Sequence, residues 1–60
     1  MRAFTYTCED YTTGEEWLGQ NFQQVCKLWE SAESEDLLAV AFLSVGEVYS
    51  NYEFYVRRTM

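Results

Sequence analysis

Residues 33–46, "ESEDLLAVAFLSVG", decide the architecture, because they read two ways. As a helix, the stretch is capped by Ser34 and ended by Gly46, with Leu38, Ala41, Phe42 and Val45 turned inward. As a strand, it sends Leu38, Val40 and Phe42 to the core and leaves Leu37, Ala39, Ala41 and Leu43 as a second apolar face. Length does not separate the two. The strand is the preferred reading, because the segment upstream looks like one long helix that needs a wide sheet beneath it.

That upstream segment, "TTGEEWLGQNFQQVCKLWESA" (12–32), spaces Trp17, Leu18, Phe22, Val25, Cys26 and Trp29 as a helical stripe. Thr13 with Glu16, or Thr12 with Glu15, fits a capping box at its start. Gly14 and Gly19 weaken it, by up to about 1 kcal/mol each relative to alanine, so this helix depends on docking its stripe. On either side lie two clean alternations. "RAFTYTC" (2–8) puts Phe4, Tyr6 and Cys8 on one face, and "YEFYVRRT" (52–59) does the same with Tyr52, Phe54 and Val56. A loop around "GEVYSN" (46–51) leads into the second of these.

The expected fold is therefore a single small α+β domain over residues 1–60, ordered β-α-β-β. One helix covers a three-stranded, mainly antiparallel sheet with the C-terminal strand in the centre. The alternative, with 33–46 helical, is β-α-α-β.

A 60-residue chain is near the lower limit for unaided folding. Two Trp, five Tyr and four Phe supply the apolar area such a chain needs, and argue against disorder. So small a core cannot enclose all of them, which points to an interface. The net charge is −6, with Arg2, Lys27, Arg57 and Arg58 the only cations. That balance disfavours direct contact with nucleic acid and with anionic membrane, and it fits a basic partner or simple solubility.

With no histidine, and with Cys8 and Cys26 in no metal-type spacing, neither a metal site nor any other cofactor is expected. No apolar run reaches the length of a membrane span, and "MRAFTYTCED" has no apolar signal segment. A reducing, cytoplasmic setting follows from these features.

In the β-α-β-β arrangement, Glu9, Asp10, Glu15, Glu16 and Glu47 gather at one end with Tyr11 and Tyr49 beside them. Arg2, Arg57 and Arg58 fall at the other end with Glu30, Glu33, Glu35 and Asp36. The helix dipole accounts for Glu15 and Glu16 but not for Glu47. The acidic end is thus the candidate partner-binding site. Leu37, Ala39, Ala41, Leu43 and Tyr55, on the outer sheet face, form a candidate second interface for a homodimer.

Catalysis is not expected. The paired carboxylates are surface-placed on a chain too small for a substrate cleft, and Cys8 lacks a histidine partner. What remains is adhesion: an inhibitor or modulator that docks on a larger host or nucleic-acid-handling protein with a basic surface. Phage-encoded factors that block host enzymes or defence systems are of this type, some by imitating DNA phosphates with carboxylates.

Overall fold

The computed structural model describes residues 4–60. Arg2 and the start of the 2–8 alternation lie outside them. The chain is α+β, with four strands and two helices: β1 (Tyr6–Asp10), β2 (Glu16–Gln20), α1 (Phe22–Leu28), α2 (Ser34–Ala41), β3 (Val48–Ser50) and β4 (Phe54–Arg58). The strands form one sheet in the order β2-β1-β4-β3, and every pairing is antiparallel. The C-terminal strand is flanked on both sides, as the expected closure places it. The sheet has four strands where three were expected, and two helices where one was.

The first departure lies in 12–32. Its opening third is a loop and a strand, and only 22–28 is helical. Gly14 and Gly19 adopt φ values of +77° and +65°, which interrupt a right-handed helix and which other residues rarely reach. Gly14 lies in the β1–β2 loop, where its N–H donates to the Asp10 carbonyl at 2.7 Å. Gly19 lies in β2 beside a shift in the β1–β2 register. The expected capping boxes do not form. Asp10 Oδ1 instead accepts from the Thr12 and Thr13 N–H groups at 2.8 and 3.3 Å, an Asx turn that closes the loop. The helix begins at Asn21, whose Oδ1 accepts from the Gln24 N–H while Gln24 Oε1 accepts from the Asn21 N–H, both at 2.8 Å.

The second departure is 33–46, of which Ser34–Ala41 coils into α2, as in the β-α-α-β alternative, although Glu33 rather than Ser34 is the N-cap and the helix ends at a Phe42 cap well before Gly46. Glu35 and Asp36 in its first turn suit the positive end of the helix. Its inward face is nevertheless not the expected one. Val40 is fully buried and Leu43 packs on the core, while Leu38, Ala41, Phe42 and Val45 face solvent. Two polar bonds set this rotation. Tyr49 Oη donates to Asp36 Oδ1 at 2.6 Å, and Arg58 Nη1 donates to the Leu43 carbonyl at 2.8 Å. Each ties the helix to a different strand.

The core joins Tyr6 and Cys8 of β1, Val25 of α1, Trp29, Val40 of α2, and Phe54 and Val56 of β4. Both helices contribute to the same face of the sheet. Four aromatic rings run through it in sequence. Trp17 stacks on Phe54 (centroids 6.2 Å apart), Phe54 on Trp29 (5.0 Å), and Trp29 meets Tyr49 at a tilt (6.1 Å). The other sheet face carries Thr7, Glu9, Glu16, Leu18, Val48, Ser50, Tyr55 and Arg57, with no helix across it.

Both cysteines are free thiols, Cys8 buried and Cys26 half-buried. Burial pushes the Cys8 thiol up to about 11, which holds it neutral and unreactive. A maleimide reagent at neutral pH should therefore modify Cys26 first, with Cys8 reacting only as fast as the domain opens. Mass spectrometry of timed, digested samples reads this order, and equal labelling of the two would contradict the packing.

Candidate functional site

One inserted strand changes where every later charge lies. In the β-α-β-β order, the helix would start where β1 ends. Here β2 returns the chain to the start of β1, with Gln20 opposite Tyr6, so α1 climbs back and delivers Trp29 and Glu30 beside Asp10. Strand β3 then begins at the far end. The Arg58 N–H donates to the Glu47 carbonyl at 3.1 Å, and Val48 pairs with Arg57.

The expected acidic end is thus corrected at four positions. Glu9, Asp10, Tyr11, Glu15 and Glu16 do share one end, on β1, β2 and their connecting loop. Glu47 is at the opposite end. Tyr49 lies against Trp29 with its hydroxyl on Asp36, a hydrogen bond that lowers the Asp36 pKa and raises that of Tyr49. Glu30, expected at the basic end, joins the acidic one. Glu53, absent from the expected set, arrives there because the Tyr11 N–H donates to its carbonyl at 2.9 Å.

Part of the corrected group lines a cleft of about 330 Å³, a space the chain was expected to be too small to build. Asp10, Glu30 and Glu53 line it with Thr12 and Ser31, over Leu28, Trp29 and Phe54. Two of the carboxylates are held in place. Ser31 Oγ donates to Glu53 Oε2 at 2.8 Å, and the Asx turn fixes Asp10. Each of these bonds uses one oxygen of a carboxylate that has two. Trp29 is buried, and its Nε1–H has no acceptor among the described residues.

On the uncovered sheet face, Glu9 stands directly opposite Glu16 in the register, with Tyr55 opposite Glu9 on the other side. Like charges in that relation destabilise a sheet. The face offers no match to the expected second interface. Leu37, Ala39 and Ala41 belong to α2, Leu43 follows it and packs inward, and only Tyr55 is on the outer face. These five do not form one surface.

Sequence reasoning missed Glu30 and Glu53 because their placement follows from the direction of α1, which the extra strand reverses. The available signal was Asn21 with Gln24, the one capping pair in 12–32 standing next to a continuous helical run. Among the described residues, no group of three or more His, Cys, Asp or Glu side chains is arranged to hold a metal ion, and no helix is long and apolar enough to cross a membrane. Comparison of the chain with protein-family models, with curated proteins and with solved structures finds no match.

Proposed function

We propose that this chain is a small acidic binding protein that docks on a larger protein bearing a basic surface and thereby modulates it. The observation that carries this reading is the cleft that Asp10, Glu30 and Glu53 line together with Leu28, Trp29 and Phe54. A lysine or arginine side chain suits such a cleft, because its methylene stem covers apolar floor while its head meets carboxylates. Holding Asp10 and Glu53 by hydrogen bonds reduces the ordering cost of that contact. Nucleic-acid-handling proteins present basic surfaces of this kind, and displacement of their DNA is one way the docking would act. Two free cysteines suit a reducing compartment, which supports a cytoplasmic setting.

The test is affinity capture from extract of the source cell, comparing the wild type with the triple variant Asp10→Asn/Glu30→Gln/Glu53→Gln. The amides keep shape, the Asx turn and the Ser31 acceptor while removing three charges. Three ion pairs at about 0.5–1 kcal/mol each predict a loss of affinity of about 10- to 100-fold, diminishing as salt is raised. A partner held equally by both proteins at low salt would overturn the cleft as its binding site.

A further inference from the structure

The face of the sheet that no helix covers is a single surface, because the strand register fixes it. Glu16, Glu9 and Tyr55 lie across it in one row, and Thr7, Arg57 and Val48 in the next. Leu18, beside Trp17 on β2, is 70% exposed, and Val48 at the other border is 47% exposed. The two carboxylates of the first row stand side by side, and Arg57, the cation of this face, is diagonal to Glu9 rather than opposite it. Among the described residues, no hydrogen bond or ion pair engages these three charged side chains. Like charges directly opposite one another destabilise a sheet, and a cation laid over the pair removes that repulsion.

We propose that this face packs on the same face of a second copy, with Arg57 of each chain over Glu9 and Glu16 of the other. Charge and symmetry select that occupant. A two-fold axis laid in the plane of the face, along the Thr7–Tyr55 diagonal, exchanges the two ends of the Glu9–Arg57 diagonal. The sheets then cross steeply, as in orthogonal sheet packing, and Tyr55 meets its own counterpart near the axis. A uniformly basic surface would suit the carboxylates but would set a like charge against Arg57. The net −6 of each chain lies mostly elsewhere, since of ten acids only Glu9 and Glu16 are on this face. At about 4.8 Å between strands and about 3.4 Å per residue, the face measures about 19 by 17 Å, the low end for a specific interface, so the dimer is weak and reversible. The acidic cleft is on the helix-bearing side, against Leu28, Trp29 and Phe54, and pairing leaves both clefts open.

Sedimentation equilibrium of the purified chain, from about 10 to about 500 μM, tests this, and the wild type should pass from monomer to dimer within that range. Arg57→Glu and Glu9→Arg should each weaken self-association by at least about tenfold, because each sets like charges together at two symmetry-related contacts. Mixed in equal amounts, these two variants should pair with one another at least as tightly as the wild type does, since every reversed charge then meets its opposite. Lys27→Glu, exposed on α1, changes the net charge as Arg57→Glu does and should leave association unaltered. Phe42→Gln, on the exposed apolar side chain that caps α2, should also leave it unaltered. Arg57 is exposed, so if Glu9→Arg does not fold, Arg57→Glu measured against Lys27→Glu decides alone.

The proposal is overturned if the wild type stays monomeric throughout, or if Lys27→Glu weakens association as much as Arg57→Glu. It is equally overturned if Phe42→Gln dissociates the dimer, since the contact would then run through the α2 side, or if the mixed variants pair no better than either alone. The cleft triple variant should dimerise as the wild type does. Failure of the sheet face and failure of the cleft are thereby read separately.

Discussion

Phe54→Ala should leave this protein largely unfolded at room temperature. Phe54 is 2% exposed and lies between Trp17 and Trp29, with ring centroids 6.2 and 5.0 Å away. Removing the ring takes away its transfer energy and leaves a void that the two indoles cannot fill, a loss of about 3–5 kcal/mol. A single core in a chain of this length supplies about 3–5 kcal/mol in total, so the whole margin disappears. Urea denaturation followed by tryptophan fluorescence measures it directly, since both indoles report on the same stack. Phe54→Leu, which keeps most of the volume, should retain a cooperative transition at a lower midpoint. A Phe54→Ala protein with a near-native midpoint would mean that the ring stack is not the centre of the core.

The next largest effect belongs to Arg58, despite its place near the end of the chain. Its Nη1 donates to the Leu43 carbonyl at 2.8 Å, its Nε donates to the Met60 carbonyl at 3.0 Å, and its guanidinium lies 3.7 Å from the centre of the Phe4 ring. One planar head thus ties the exit of α2, Met60 and Phe4, two positions ahead of β1, into a single cluster. Arg58→Leu should lower stability by about 1.5–3 kcal/mol, the range for a hydrogen bond to a charged donor, and thermal unfolding would show it. Arg58→Lys should recover little, because a single ammonium cannot reach two carbonyls and cover a ring together. Full rescue by lysine would reduce Arg58 to a surface charge.

The strands with clean alternation were legible in the sequence. Tyr6 and Cys8, like Phe54 and Val56, are buried as the period of two requires, whereas Phe4 and Tyr52, expected on the same faces, precede the strands and are exposed. So was most of the core contributed by 12–32: Trp17, Phe22, Val25 and Trp29 all pack on the sheet's inner face, although Trp17 does so from a strand. A stripe counted across a strand–helix junction looks like one helix, and only the two glycines and the Asn21 cap mark the break. In 33–46 the difficulty was different. Apolar residues cover two sides of the helix, so periodicity cannot say which side goes in. Tyr49 and Arg58, on distant strands, make that choice by bonding Asp36 and the Leu43 carbonyl, and no local pattern reveals those partners. The acidic site was half legible for the same reason. Glu9, Asp10, Glu15 and Glu16 follow from the end of β1, whereas Glu30, Glu47 and Glu53 depend on how many times the chain reverses.

The two borders of the sheet are poor templates for further strands. Strand β3 offers only three residues, and β2 is distorted around Gly19, where the backbone takes a left-handed turn. Each edge does carry one exposed apolar side chain, Leu18 on β2 and Val48 on β3, so it is the brevity of one border and the kink in the other that limit pairing. Crowded copies should therefore find no long flat border to extend, where an unbroken edge of equal hydrophobicity would seed fibres.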